Sequence, residues 1–122
     1  MKTYISIPIS GRDLDEAQTE ADMVKSWMQT LYVGEVAHEV ITPFDVVPEP
    51  PDIQPSEQYA YCMGRDIEAI LSCTQIVMCP GWQNSRGCRA EHEIAKIYGI
   101  NIAYLQDIKQ SHEETQIYKQ AI

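Results

Sequence analysis

Short apolar runs alternate with longer stretches of helical periodicity along this chain. We predict strands over residues 3–7, 35–41, 75–79 and 101–104. Between the first two strands, apolar residues recur at steps of three and four, which predicts a helix over 13–31. The apolar residues that follow this period are Leu14, Ala17, Ala21, Val24, Met28 and Leu31. Further helices are predicted over 57–72, 87–98 and 107–121, so that residues 105–122 form a C-terminal tail or helix.

Proline and glycine mark the connections between these elements. Pro8 and the Ser10-Gly11 turn end the first strand. Residues 43–55 contain five prolines, which excludes a central strand or helix and predicts an ordered flap or lid edge. We expect Ser56 to cap the helix that follows this segment.

The order of elements predicts one α/β domain over residues 1–122. We expect a three-layer, flavodoxin-like or Rossmann-like fold with a parallel sheet of about four to five strands. Right-handed crossovers favour the strand order 2-1-3-4, which sets the topological switch point between the first and third strands. Ligands of open α/β sheets bind at that point, where the loops 8–12 and 80–87 converge.

Composition and charge exclude several classes of function. A net charge of −9 over 122 residues argues against a nucleic-acid polymer as partner. No apolar run is long enough to span a membrane, and the first strand follows Met1-Lys2 too closely for a signal peptide. The four cysteines have neither CxxC nor metal-ligand spacing, which is typical of small core residues in a reducing compartment. We therefore expect a cytoplasmic protein without a metal site or other cofactor.

Arginine is scarce in this acidic chain and lies beside its motifs. The four arginines are Arg12, Arg65, Arg86 and Arg89. Because a guanidinium suits phosphate recognition, this distribution predicts a small anion site, the alternative being four surface positions reached by chance. The Ser10-Gly11-Arg12 turn adds a hydroxyl and backbone N–H groups just before a helix.

One carboxylate departs from the helical pattern. Steps of about 100° along a helix over 88–98 put Glu91 in the middle of the apolar arc as its only charge. The rest of that arc is Cys88, Ala90, Ile94, Ala95, Ile97 and Tyr98. Glu93 lies nearly opposite and faces water. A core-facing carboxylate after a Gly-containing loop is a candidate catalytic group, whereas a Glu that only complements the helix dipole is the alternative.

Two further residues join Glu91 as candidates for chemistry. Asp66 lies at the edge of the apolar arc of the helix over 57–72, so that two carboxylates from different helices lean toward the sheet. Paired carboxylates suit a reaction in which one group stabilises or attacks a cation and the other moves a proton. Alternatively, Asp66 caps a loop or pairs with Arg12. Trp82 follows Gly81 in a loop, where it stacks on a flat ligand such as a base or covers the core.

These residues together resemble a known family. Tyr4, the turn Ile9-Ser10-Gly11-Arg12, Asp66 and the motif Ser85-x-Gly87-x-x-x-Glu91-x-x-x-Ala95 resemble the nucleoside 2-deoxyribosyltransferase family over about residues 2–104. Within that family, the chain looks closest to the 2'-deoxynucleoside 5'-phosphate N-hydrolase branch and its small phage and bacterial relatives. The last motif is the more specific one.

The resemblance implies a role for each matched residue. Glu91 corresponds to the nucleophile at the anomeric carbon, Asp66 to a residue that helps protonate the leaving base, and Tyr4 to a tyrosine beside them. The loop from Ile9 to Arg12, with Ser85 and Gly87, corresponds to the loop that holds a 5'-phosphate. We add Trp82, Arg86 and Arg89 as substrate-binding candidates from the residues themselves.

The chain also departs from the family pattern. Ser10 stands where the hydrolases tend to have Arg, which leaves phosphate binding to Arg12, Arg86 or Arg89. Glu93 replaces a Gly of the common Glu-x-Gly form. The family often completes its site with C-terminal residues of a neighbouring subunit, and no residue of 105–122 matches that role.

Three hypotheses follow for the function. The first is cleavage or transfer at the N-glycosidic bond of a 2'-deoxynucleoside or its 5'-monophosphate, with water or a second base as acceptor. The second is a catalytically weak module on the same fold that binds or senses a nucleotide. The third is an unrelated α/β interaction domain in which the Glu91 helix is a coincidence. A sheet of this size also predicts a homo-oligomer, with a dimer as the simplest form.

Overall fold

Four parallel strands form the centre of the protein. The structure, a computed structural model, describes residues 1–32, 34 and 38–121, without the side chains at 118, 119 and 121. The strands are β1 (Lys2–Ser6), β2 (Glu39–Ile41), β3 (Gln75–Met78) and β4 (Asn101–Tyr104). They lie in the order β2-β1-β3-β4, which confirms the predicted strand order and the α/β class.

Helices connect the strands and cover both faces of the sheet. They are α1 (Leu14–Leu31), α2 (Pro43–Val46), α3 (Pro55–Leu71), α4 (Arg86–Ile97) and α5 (Leu105–Ala121). A single turn of 3-10 helix, Trp82–Asn84, precedes α4. Within the described part of the chain, no helix is both long and apolar enough to cross a bilayer.

Two predictions for the proline-rich segment are wrong, because α2 and α3 begin at residues that we did not expect. We expected no helix between residues 43 and 55, but α2 forms there because Thr42 and Asp45 make a reciprocal capping box and Pro43 occupies the first turn. We expected Ser56 to cap the next helix, but α3 begins at Pro55, whose fixed φ suits a first helical position. Ser56 therefore lies inside α3.

The remaining bounds differ little from the predictions. Strand β1 starts and ends one residue earlier than predicted, and β3 ends one residue earlier. Strand β2 begins at Glu39, while residues 35–37 of the predicted strand lie outside the described residues. Asp13 is the N-cap of α1 rather than its first residue, since its carboxylate accepts from the backbone N–H of Glu16.

Alternate residues of the central strands enter opposite halves of the core. Ile5 and Val77 pack with the buried face of α1, which includes Ala21 and Met28. Tyr4, Ile76 and Met78 pack on the other face, against residues of α3 and α4 such as Ile70, Cys88 and Ala95. Because both faces are covered, the central strands are buried almost throughout, and Thr3 and Ser6 of β1 are as buried as its apolar residues. A polar residue in β1 therefore calls for a specific partner.

The buried stripe of α4 is narrower than its sequence predicts. Cys88, Glu91 and Ala95 are buried, whereas Ala90, Ile97 and Tyr98 of the predicted apolar arc are exposed. Tyr98 ends the helix as its C-cap, and Ile97 lies in the last turn, beyond the sheet contact. Glu91 thus belongs to the stripe that contacts β1.

Candidate active site

The site forms where the carboxyl ends of β1 and β3 lie side by side. Two turns close the chain over this edge, one at Gly11 with φ of +80° and one at Gly81 with φ of +87°. Only glycine adopts such angles without strain, so both turns depend on it. After the second turn, Ser85 caps α4 by accepting a hydrogen bond from the backbone N–H of Cys88 at 3.2 Å. These turns direct the start of α4 toward the switch point.

The side chain of Glu91, which extends from α4, packs against β1, where two hydroxyl groups hold its carboxylate. The Tyr4 hydroxyl donates to Oε2 at 2.8 Å, and the Ser6 hydroxyl donates to Oε1 at 2.7 Å. Glu91 is 4% exposed, and both donors are fully buried. Because α4 begins at Arg86, Glu91 falls in the second turn of the helix, beyond the reach of the dipole effect that was the alternative explanation.

Asp66 approaches the same point from α3. It is 8% exposed, and its Oδ1 has no hydrogen-bond partner among the described residues. An unpartnered carboxyl oxygen in a buried setting is costly, so its persistence favours a ligand group that completes it. The alternative that Asp66 pairs with Arg12 is wrong, because Arg12 pairs with Glu20 and donates to the carbonyl oxygen of Pro8 at 2.9 Å.

Burial favours the protonated forms of both carboxyl groups. Desolvation raises the pKa of Asp66 to about 8, with a further rise from the charge of Glu91 and a partial offset by a hydrogen bond with Tyr4. Desolvation also raises the pKa of Glu91 to about 7, offset by the hydrogen bonds from Ser6 and Tyr4. Burial and the two carboxylates raise the pKa of Tyr4 well above its ordinary value, so that this residue stays a hydroxyl donor. Burial and the mutual repulsion of the two carboxylates therefore oppose their simultaneous ionisation.

Two adjoining cavities open onto these residues. The inner cavity has a volume of about 460 Å³ and contains Asp66 and Glu91 among apolar residues of α2, α3 and the first loop. The outer cavity has a volume of about 760 Å³ and lies between the two turns. The residues common to both are Ser10, Tyr59, Ser85 and Gly87. The arrangement offers a mostly apolar chamber with two carboxyl groups and a more polar entrance.

Most of the predicted site residues come together in these cavities. Ile9, Ser10, Asp66, Ser85, Gly87 and Glu91 line the inner cavity, and Arg12 and Arg86 line the outer one. Tyr4 lies beneath the carboxyl groups, fully buried. Gly11 shapes the first turn without lining either cavity.

Trp82 and Arg89 lie outside both cavities. The indole of Trp82 stacks on His92, with ring centroids 4.3 Å apart, and packs against the core, which matches the alternative that it covers the core. It lines a separate cavity of about 310 Å³ with Tyr104. Arg89 is exposed on the outer face of α4, since it is two residues before Glu91 and helical periodicity turns it away from the sheet.

The two arginines of the outer cavity already have partners. Arg12 is paired with Glu20, which lines the same cavity. Arg86 lies over the ring of Tyr59, with its guanidinium carbon 5.5 Å from the ring centroid. Arg65 points elsewhere and pairs with Glu68 at 2.9 Å. An anion entering the outer cavity would therefore meet Arg86 and the start of α4 more readily than Arg12.

Sequence reasoning missed Ser6 and the apolar walls of the inner cavity. Ser6 follows Tyr4 by two residues, so the two side chains share one face of β1. That spacing, which puts a second hydroxyl on the face of β1 that already carries Tyr4, is the signal by which Ser6 could have been found. Phe44 of α2 and Met63 of α3 also line the inner cavity, and the proline-rich segment supplies part of its wall.

No group of three or more potential metal ligands clusters within the residues that the structure describes. The four cysteines are free, and three of them are buried. Burial raises the pKa of Cys88, which lies beside the carboxyl groups and therefore stays a thiol.

Comparisons with known proteins agree with this fold. The structure is similar to that of a 2-deoxyribosyltransferase from the psychrotolerant bacterium Bacillus psychrosaccharolyticus, with a TM-score of 0.62 and 17% identity. The similarity covers 85% of this chain and 71% of the other. A comparison with curated proteins gives no match. The model of a family described as a domain of unknown function, DUF4406, matches residues 1–104, and the chain therefore belongs to the DUF4406 family.

Proposed function

We propose that this protein cleaves or transfers at the N-glycosidic bond of a 2'-deoxynucleoside or its 5'-monophosphate. The observation that carries the proposal is the buried pair Glu91 and Asp66, which lines one cavity from two helices. The fold likeness to a 2-deoxyribosyltransferase supports the same reaction class. The resemblance in sequence to the 5'-phosphate N-hydrolases extends it to phosphorylated substrates.

The protonation states suit a division of labour. With a pKa of about 7, Glu91 is substantially ionised at neutral pH, whereas Asp66, with a pKa of about 8, mostly keeps its proton. An ionised carboxylate is required to attack or stabilise a cationic centre, and a protonated one to donate to a leaving group. The family resemblance makes Glu91 the nucleophile and Asp66 the general acid in this proposal, and the raised pKa of Asp66 suits the role of proton donor.

The reaction proceeds in two displacements at C1' of the sugar. An oxygen of Glu91 forms a bond to C1' as the C1'–N bond breaks, through a transition state with oxocarbenium character. The bonding electron pair leaves with the base, which takes the proton of Asp66 directly or through water. The acceptor then attacks C1' of the ester and restores the Glu91 carboxylate. The proton of the acceptor returns to Asp66 in either case, so that water gives the free sugar and a second base, on losing its N–H proton, gives a new nucleoside.

The cavities supply separate surroundings for the parts of the substrate. The apolar walls of the inner cavity, including Phe44 and Met63, suit a planar base beside Asp66. The outer cavity, with Ser85, Arg86 and the start of α4, suits the 5' end of the sugar. A phosphate there is favoured by Arg86 and opposed by the carboxylate of Glu20. Deoxynucleosides and their monophosphates are therefore both tested as substrates.

The experiment is a panel of 2'-deoxynucleosides and 2'-deoxynucleoside 5'-monophosphates, with release of free base measured by chromatography in the presence and absence of a second base. Glu91→Gln keeps the shape of the side chain and is expected to lower turnover at least ~100-fold, the scale of losing a nucleophile or paired acid–base group. Glu93→Gln, two residues along α4 and exposed, is the matched control and should keep wild-type activity. Turnover by Glu91→Gln close to that of the wild type would refute the mechanism.

A nucleotide-binding module without turnover is the second candidate. It is favoured by the near-complete burial of Glu91, both of whose oxygens already accept hydrogen bonds within the protein. The same panel distinguishes the two candidates. Thermal stabilisation by a deoxynucleotide without release of base supports the binding module, and release of base supports the enzyme.

A further inference from the structure

Ser6 has no role in the reaction outlined above, yet it makes the shortest contact with the proposed nucleophile. Its hydroxyl donates to Oε1 of Glu91 at 2.7 Å, and its side chain is fully buried. Serine has low strand propensity and a polar group that a buried strand must satisfy. Its position in β1 is therefore explained by what it contacts.

The hydroxyl groups of Tyr4 and Ser6 on β1 differ in their neighbours. Tyr4 donates to Oε2 of Glu91, and the nearby charge of Asp66 contributes to the raised pKa of Tyr4, so Tyr4 is coupled electrostatically to both carboxyl groups. Ser6 acts on Glu91 and on the thiol of Cys88. The titratable groups that face the Glu91 carboxylate are thus Tyr4 from β1, Asp66 from α3 and Cys88 from α4 itself. Ser6 is the donor that reaches the nucleophile without reaching the acid.

We propose that Ser6 is a positioning residue that fixes the Glu91 carboxylate by its Oε1 and thereby keeps it ionised and oriented for attack at C1'. This inference rests on the proposed function and deepens it. Each carboxylate oxygen has two lone pairs, and one hydroxyl bond to each leaves one lone pair per oxygen for the substrate. With both oxygens held, the side chain cannot rotate away from the inner cavity, which is the preorganisation that a nucleophile needs.

The test measures the pKa of Glu91 directly and does not depend on turnover. The carboxyl carbons of glutamate are labelled with 13C and titrated by NMR, and the Glu91 signal is assigned by its loss in Glu91→Gln. Ser6→Ala removes a hydrogen bond to the charged form and should raise the pKa of Glu91 by about one. Ser6→Thr keeps a hydroxyl and should restore the wild-type value.

Thr3→Val is the matched control on the same strand. Thr3 is as buried as Ser6, but its hydroxyl contacts Gln75 and His38 on the other side of the sheet. This variant should lose stability without changing the pKa of Glu91. If Ser6→Thr does not fold, Ser6→Ala against Thr3→Val still decides the question.

Kinetics supply the second measurement. In Ser6→Ala, kcat should fall about tenfold with little change in KM, and the acidic limb of the pH profile should move upward while the alkaline limb stays in place. An unchanged Glu91 pKa in Ser6→Ala would overturn the inference and leave Ser6 as a space-filling residue. Failure of the wild type to release base from any substrate would instead refute the proposed function, and the titration would still show whether Ser6 controls the ionisation of Glu91.

Discussion

Removing the charge of Glu91 should stabilise the protein at alkaline pH. The pKa of Glu91 is raised from 4.5 to about 7 because the folded protein buries the carboxylate. At a pH between these two pKa values, the folded protein keeps the Glu91 proton that the unfolded chain releases. Protonation of Glu91 therefore stabilises the folded state, and this stabilisation is lost as the pH rises through the pKa of the folded protein. Glu91→Gln replaces the carboxylate with a neutral amide of the same shape, which also finds partners in Tyr4 and Ser6.

The magnitude follows from the shift in pKa. One pKa unit corresponds to about 1.4 kcal/mol, so the raised pKa of Glu91 costs about 3 kcal/mol of folding free energy at pH 8 and less than about 1 kcal/mol at pH 5. The difference in unfolding free energy between Glu91→Gln and the wild type should therefore grow by about 2 to 3 kcal/mol from pH 5 to pH 8. For a chain of this size, that corresponds to roughly 10 °C in Tm.

Urea unfolding followed by circular dichroism at pH 5, 6, 7 and 8 measures this difference. Glu93→Gln is the control, since its side chain is exposed on the opposite face of the helix. Its difference from the wild type should be small and independent of pH. A difference for Glu91→Gln that stays flat across this range would refute the reasoning, because it would mean that Glu91 ionises in the folded protein as easily as in the unfolded chain.

The other predictions concern activity and assembly. The pH profile of kcat/KM should be a narrow bell that falls below pH 7 as Glu91 takes up a proton and above pH 8 as Asp66 loses one, and a profile flat from pH 5 to 9 would exclude these roles. Glu20→Gln should release Arg12 from its ion pair and lower the KM for a 5'-monophosphate several-fold more than that for the nucleoside, as measured by steady-state kinetics. The predicted homo-oligomer is tested by analytical ultracentrifugation of the wild type and of Ile97→Glu. This substitution adds a charge to the exposed apolar end of α4, so it should weaken association through that surface, and unchanged association would exclude that surface as the interface.

The order of the strands was predictable because it depends on hydrophobic pattern and chain handedness. Four apolar runs separated by amphipathic helices leave few ways to build a covered parallel sheet. Local capping was harder to predict. The helix Pro43–Val46 depends on the pairing of Thr42 with Asp45, which a count of prolines in that segment does not reveal. Likewise, Pro55 rather than Ser56 starts α3 because a fixed φ outweighs a side-chain cap there.

For the site, helical phase identified Glu91 for a reason that was only partly right. The apolar arc that singled it out includes Ala90, Ile97 and Tyr98, all of which are exposed in the fold. Glu91 is buried because it follows Cys88 by three residues and precedes Ala95 by four, so that all three side chains lie on the buried stripe of α4. By contrast, the two roles considered for Trp82, stacking on a ligand or covering the core, were inferred from its loop position alone, and its partner His92 lies ten residues later in the sequence. Contacts of that kind depend on how the 3-10 turn packs on α4, which periodicity does not specify.

The roles proposed for Glu91 and Asp66 also depend on tertiary structure. In the sequence they are two carboxylic acids on two helices with similar ordinary pKa values. The fold separates them because β1 offers Glu91 two hydroxyl donors, whereas Asp66 keeps Oδ1 without a partner among the described residues. The two donors come from alternate positions of one strand. Strand β1 can therefore offer more hydrogen bonds to one acid than to its neighbour, and in the proposed reaction these bonds favour the ionised form of Glu91.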